Sequence, residues 1–244
     1  MTAQPLVQLT DEELAVLVDG ASYVVPPYLD GIPAEHREIA LHTAYRGLCA
    51  RGWLEPAAVG ATEAVAGVPV GLIPEVAELL RLRVTADLVV CAHRISGDGE
   101  DFRYWHASND VVLEERVSPL GMHGFWLLEP AALADDLVAY VLDPAAAGEP
   151  GPERELDPVA VASGHAPDDL VLRLARARLV ADVVVRRTGD KGPGEMVGVL
   201  SGPGGVHVAS SRFGSAAPVR IRSVTPGEVA SLMAVLVRCA TPGP

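Results

Sequence analysis

Four residues in the middle of this chain carry the side chains of a metal site: Cys91, His93, His106 and His123. Cys91 and His93 lie two apart and so share one face of a strand, and hairpin partners can bring the other two histidines near them. Structural zinc sites draw their ligands from tightly paired spacings, which these four residues lack. The expectation is therefore no metal, with the histidines scattered over a partly exposed sheet. Gly189-Asp190-Lys191-Gly192-Pro193-Gly194 looks superficially like a phosphate loop. A true one places GxxxxGK[ST] between a strand and a helix so that its amides and lysine cradle phosphate, whereas here the order differs and a strand follows. Ser163-Gly164-His165 and the dispersed acids make no triad and no carboxylate pair. The residues predict no catalytic centre and no cofactor.

Composition narrows the function further. The chain has 244 residues, 49% of them hydrophobic and 21% charged, with ample apolar material for a core. Net charge is −13, unevenly spread. Residues 1–144 carry 22 Asp and Glu against 8 Arg (net −14), and residues 145–244 carry 10 against 10 Arg plus Lys191 (net +1). Such acidity argues against nucleic acid, which is met by a basic stripe. Cys49, Cys91 and Cys239 form no CxxC pair and sit in apolar segments, as buried thiols in a reducing compartment do. No signal peptide and no membrane span are read from the sequence, which predicts a cytoplasmic protein.

The elements that must position these residues are announced by a repeat. Arg83-Val84-Thr85-Ala86-Asp87-Leu88-Val89-Val90 recurs as Arg178-Leu179-Val180-Ala181-Asp182-Val183-Val184-Val185, a shift of 178 − 83 = 95. Each copy is read as the first strand of an antiparallel meander. In the first half, Phe102–His106, Val111–Val117 and Met122–Leu128 follow; in the second, Met196–Leu200, Val206–Ser210 and Val219–Val224. Helices bracket each meander. Pro74 opens one before the first copy and Pro130 one after it, and Pro167 and Thr225-Pro226-Gly227-Glu228 play the same parts in the second half. Thr10 and Glu13 form a capping box near the N-terminus, Gly20 can end that helix, and a second helix runs from Ala34 to Arg51 with Gly52 as its stop.

The expected fold is α+β: a pseudo-two-fold repeat of helix–antiparallel meander–helix, with a central antiparallel sheet flanked by helices. The expected organisation is an N-terminal half over residues 1–144, a Pro, Ala and Gly-rich linker over 145–166, and a C-terminal half over 167–244. Asp87 and Asp182, acids within apolar strands, are read first as solvent-facing positions on a one-sided sheet; if instead the two copies pair antiparallel about the pseudo-axis, Arg83 faces Asp182 and Arg178 faces Asp87. The first half also carries Phe102, Tyr104, Trp105, Phe125 and Trp126, where the second is aromatic-poor. Core packing is the default account for most of them, but aromatics also anchor interfaces, so these five are the candidate partner-binding residues.

Several stretches resemble the EspG family of type VII (ESX) secretion-associated proteins. They are the opening run Val7-Gln8-Leu9-Thr10-Asp11-Glu12-Glu13-Leu14, the helix end Leu48-Cys49-Ala50-Arg51-Gly52-Trp53-Leu54, and the short helix entering an arginine-bearing strand near Arg81 and Arg83. The duplicated plan is also similar, so the resemblance spans nearly the whole chain, although this chain is shorter than typical members. It implies a non-catalytic cytoplasmic chaperone or adaptor that binds the helical tip of PE–PPE-type substrates and delivers them for secretion. No binding motif carries over residue by residue. Two other readings are a winged-helix regulator built on Ala34 to Leu54, which the acidic first half opposes, and a small-molecule-binding domain on the sheet. Oligomeric state is not legible.

Overall fold

The computed structural model describes residues 4–18, 24–55, 64–65, 68–69, 71–108, 110–157, 159, 167, 171, 175–190, 195–212 and 217–238. Ser163-Gly164-His165, Cys239, Gly20, residues 191–194 of the glycine-rich loop and most of the helix expected after Pro167 lie outside them. Among the described residues no helix is long and apolar enough to cross a membrane.

The chain opens with β1 (Val7–Thr10), which runs directly into α1 (Asp11–Leu17). The capping box forms as its spacing demands: the Glu13 amide donates to Thr10 Oγ1 at 3.2 Å, and the Thr10 amide donates to the Glu13 carboxylate at 3.1 Å. The short α2 (Pro27–Gly31) precedes α3 (Ala34–Ala50). Gly52 takes φ +70°, the Gly52 amide donates to Cys49 O at 2.9 Å, and the Trp53 amide donates to Leu48 O at 3.0 Å. That is a Schellman closure, and it folds Trp53 back under the Arg51 guanidinium, 4.3 Å from the ring centroid. Arg51 also pairs with Glu13, tying the end of α3 to the start of α1.

A small hairpin, β2 (Ala64–Val65) and β3 (Val68–Pro69), leads to α4 (Pro74–Val84). Next come the strands of the first meander: β4 (Leu88–Ser96), β5 (Gly99–Ser108), β6 (Val111–Val117) and β7 (Met122–Leu128). A 3-10 turn at Pro130–Ala132 enters α5 (Leu133–Val141). Within the stretch expected to link the halves, Arg154–Leu156 forms β8. The second meander is β9 (Leu179–Arg187), β10 (Glu195–Gly202), β11 (Gly205–Arg212) and β12 (Val219–Val224), closed by α6 (Pro226–Arg238). Thr225 and Glu228 cap α6 reciprocally, at 2.8 and 3.2 Å.

Apart from the β2–β3 hairpin, the described strands form one ten-stranded antiparallel sheet in the order β1-β7-β6-β5-β4-β9-β10-β11-β12-β8. The α+β class and the paired meanders are as the sequence predicts. The register makes the duplication concrete. In the first meander Glu115 pairs with Phe125, and in the second Ser210 pairs with Arg220, the same pair displaced by 95 residues. β4 and β9 pair with Val90 opposite Val185, two residues that are themselves 95 apart.

Two expectations about the repeat need correction. Arg83 and Val84 belong to α4, not to a strand, so the first copy changes from helix to strand midway, whereas the second is strand from Leu179 onward. The apolar pattern at Val84, Ala86, Leu88 and Val90 satisfied a strand period over residues where the preceding helix prevails. In addition, β4 and β9 do pair antiparallel, but Asp182 faces His93, ten positions from Arg83. The arginines at the heads of the two copies are therefore not cross-strand partners of the aspartates.

The chain divides into two compact units, Met1–Asp87 with Arg103–Leu128, and Leu88–Phe102 with Glu129–Pro244. In the first, Leu9, Leu14, Leu17, Leu48, Leu80 and Phe125 anchor an apolar core between helices and sheet. In the second, α5 and α6 pack Leu137, Tyr140, Val141, Val229 and Met233 to near-zero exposure.

Candidate functional site

Within the first unit five ionisable side chains, Asp11, Arg83, His106, Glu115 and His123, converge on one buried point. Strand alternation sets His106 of β5, Glu115 of β6 and His123 of β7 within hydrogen-bonding reach of one another. Asp11 enters from the first turn of α1 and Arg83 from the last turn of α4. His123 Nε2 lies 2.6 Å from Asp11 Oδ1, and its Nδ1 lies 2.7 Å from Glu115 Oε1. The other Glu115 oxygen, Oε2, meets His106 Nε2 at 2.8 Å and accepts from Arg83 Nε at 2.9 Å. Asp11 Oδ2 accepts from the Tyr28 and Leu29 amides, at 2.7 and 2.9 Å, fastening α2 to the same cluster. Glu115 is 0% exposed, Asp11 and His123 1%, His106 4% and Arg83 8%.

Charges this deep must be balanced or lost. Burial alone would raise the Glu115 carboxyl, but Arg83, His106 and His123 together hold it well below the ordinary carboxylate range. Burial also opposes a charge on His123, yet its hydrogen bonds to Asp11 and Glu115 prevail and raise its pKa. On His106 burial wins: its pKa falls, aided by the nearby Arg83 and resisted by Glu115. The arrangement that satisfies all three is Arg83 and His123 positive, Asp11 and Glu115 negative, and His106 neutral, donating from Nε2. Both nitrogens of His123 are engaged and its side chain has almost no surface, so it offers no edge to a substrate. The cluster is a buried polar hub joining three helices to three strands.

The four residues with metal-site chemistry separate accordingly. His106 and His123 are in the hub, spent on carboxylates. His93 bonds Glu100 at 2.7 Å and stacks on Phe102 with centroids 4.7 Å apart, and Cys91 sits half-buried on the same strand in the second unit. Among the described residues no group of three or more His, Cys, Asp or Glu is arranged to hold a metal ion. Asp182, opposite His93, is half-buried, which pushes its carboxyl up against the pull of His93.

The five candidate aromatics also part ways. Tyr104 (3% exposed), Trp105 (0%) and Phe125 (0%) are interior. Phe125 belongs to the apolar core, and the Tyr104 hydroxyl accepts from the Val25 amide at 3.1 Å. Phe102 and Trp126 are half-buried and keep surface. Trp126 lies under the Arg116 guanidinium, 4.3 Å from the ring centroid. Arg116 in turn grips Glu114 through two bonds of 2.6 and 2.9 Å, and Arg103 reaches the same carboxylate at 3.1 Å. Gly124 makes room for the ring, since a Cβ there would stand 2.5 Å from Trp126 Cη2. Arg116, Glu114 and Arg103 were not read as part of any site. The signal was their alternation with Glu115 and Tyr104, which puts them on Trp126's face of the sheet.

No protein-family model matches the chain, and no curated protein matches it. Solved structures do. Among them is that of the Mycobacterium tuberculosis type VII secretion system chaperone EspG5 in complex with a PE25-PPE41 dimer, similar over 97% of this chain and 96% of that one, with a TM-score of 0.60 and 11% identity. This chain therefore has the EspG-like fold.

Proposed function

We propose that this protein is a non-catalytic cytoplasmic chaperone or adaptor for a secreted helical substrate of a type VII system, a PE–PPE-like pair or another ESX substrate. The observation that carries the reading is end-to-end likeness: the correspondence with EspG5 spans 97% of one chain and 96% of the other, so it takes in the whole helix–meander–helix plan and not one shared module. The acidic first half, with its net charge of −14, supports a protein partner over nucleic acid. The polar hub fits it too, because this cluster of acid–base groups is sealed inside, where it holds helices to sheet. Of the five candidate contact residues, Phe102 and Trp126 are those with surface to offer. Trp126, held flat by Arg116, has the build of an interface anchor.

The test is co-expression of the tagged chain with helical ESX substrates from its own genome. The expected result is a stoichiometric complex on size exclusion and a substrate that stays soluble only when the chain is present. Recovery of DNA instead, or substrate solubility indifferent to the chain across every ESX substrate tried, would overturn the proposal.

A further inference from the structure

The 95-residue correspondence between the meanders lets one sheet site be compared with its counterpart, and the two are used in opposite ways. In the first half the site is filled: Glu115 is wholly buried in the hub, beside Val117 (1% exposed) and Phe125 (0%). Their counterparts are Ser210, Arg212 and Arg220. There the sheet is not filled but opens into a cavity of about 540 Å³ within the second unit. Val197 and Val208 from the sheet and Leu232 and Leu236 from α6 give it an apolar lining, and Arg212 and Arg220 are among its polar lining residues. Leu232 and Leu236 are four residues apart, one turn of the helix, and both are half-buried. Arg222 also borders the cavity but is committed to Glu228 at 2.9 Å. The guanidinium groups of Arg212 and Arg220 have no hydrogen-bond or ion-pair partner among the described residues. They are exposed guanidinium groups beside an apolar trough, in a chain whose net charge is −13.

We propose that this cavity is a ligand site for a small apolar acid, whose aliphatic or aromatic body lies between α6 and the sheet and whose carboxylate meets Arg220 and Arg212. The volume falls within the range of small-molecule pockets, which combine a mainly apolar lining with a few convergent polar groups. A forked guanidinium is the side chain best matched to a carboxylate. Glu155, the Cα partner of Arg220 on β8, also borders the cavity and sets a limit on how much negative charge the ligand carries. A monoanion is therefore favoured over a phosphate.

The probes are decanoate and decanol, each titrated below micelle-forming concentration into the full chain by calorimetry. Decanoate should bind saturably at one site, and decanol about tenfold more weakly for want of the charged contact. The Arg212→Gln/Arg220→Gln variant, altered only at exposed positions, should bind decanoate about tenfold more weakly while melting like the parent. Leu236→Trp, which fills the trough, should abolish binding, with far-UV circular dichroism verifying the fold. The proposal is overturned if decanoate shows no saturable binding, if decanol binds equally well, or if binding survives both sets of substitutions unchanged.

Discussion

Replacing Glu115 with Gln keeps the side chain's size and removes its charge. Glu115 accepts from Arg83 at 2.9 Å, meets His106 at 2.8 Å and meets protonated His123 at 2.7 Å, at 0% exposure. A Gln has one acceptor oxygen and must turn its NH2 toward a donor, whether His123 on one side or Arg83 and His106 on the other. One N–H is left facing another, and two cations remain against Asp11 alone. Removing one partner of a buried charge pair costs about 3–5 kcal/mol, and this hub is as buried as that range assumes. All three tryptophans, Trp53, Trp105 and Trp126, lie in the first unit, so tryptophan fluorescence reports its unfolding selectively. With a urea slope of about 2 kcal/mol/M, the midpoint should fall by about 2 M with the slope unchanged.

The pH dependence of that loss is the sharper check. His123 has a raised folded pKa, so its contribution is full below the ordinary histidine value of 6.5 and fades as pH rises through the raised value. His106 has a lowered one, so its contribution is full above 6.5 and fades as pH falls toward the lowered value. Glu115, also lowered, adds stability above 4.5 that acid removes. The unmodified unit should therefore be most stable near neutrality and lose stability on both sides. In Glu115→Gln, His123 sheds its proton more readily, so the penalty should be larger at about pH 6 than at about pH 8. A midpoint shift below about 0.5 M, or a penalty independent of pH, would refute the charge assignment of the hub.

Other consequences are more local. Gly202→Ala would set a Cβ 2.7 Å from the Arg178 amide nitrogen and 2.8 Å from Arg176 O. Both are backbone atoms that cannot swing aside, so a loss of about 2–3 kcal/mol is expected by thermal melting. Thr225→Ala removes the cap of α6 and should cost about 1 kcal/mol, roughly the same as Thr10→Ala at α1, with the double variant near-additive in chemical denaturation. Trp126→Ala should weaken binding to an ESX substrate by about 2 kcal/mol, or thirtyfold, with the fold retained; a binding curve that does not move would remove Trp126 from the interface.

Local chemistry made much of the fold legible in advance. Thr10 with Glu13, Thr225 with Glu228, Gly52 before Trp53, and prolines at first helical positions each satisfy backbone groups nearby, so their effect is written in a few adjacent residues. The meander strands were readable for the same reason, since alternation is a two-residue property. What could not be read depends on residues far apart in the chain. Asp11 and His123 are 112 residues apart, and only the pairing of β1 with β7 brings them together. Composition records how many rings a half contains and says nothing about which are covered, so it could not separate the interior Trp105 and Tyr104 from the half-buried Trp126. The register of β4 against β9 was misjudged because the repeat identifies equivalent residues and leaves their offset open.

That offset changes what the duplication means. Had Arg83 and Arg178 answered Asp182 and Asp87 across the strands, the repeated motif would have served one shared purpose, register. Instead Arg83 is buried at 8% exposure and its Nε is bound to Glu115, whereas Arg178 is exposed and its amide donates to Ser201 O at 2.9 Å. The counterparts of His106 and Glu115, 95 residues on, are Ser201 and Ser210, so neither matching position offers Arg178 a carboxylate or imidazole. A buried guanidinium without its carboxylate is too costly to keep, and so is a buried carboxylate without its guanidinium. The hub therefore had to be gained or lost as a set. Its presence in one half ties that sheet face to helices, and in the other half the described residues at the matching positions line a cavity instead.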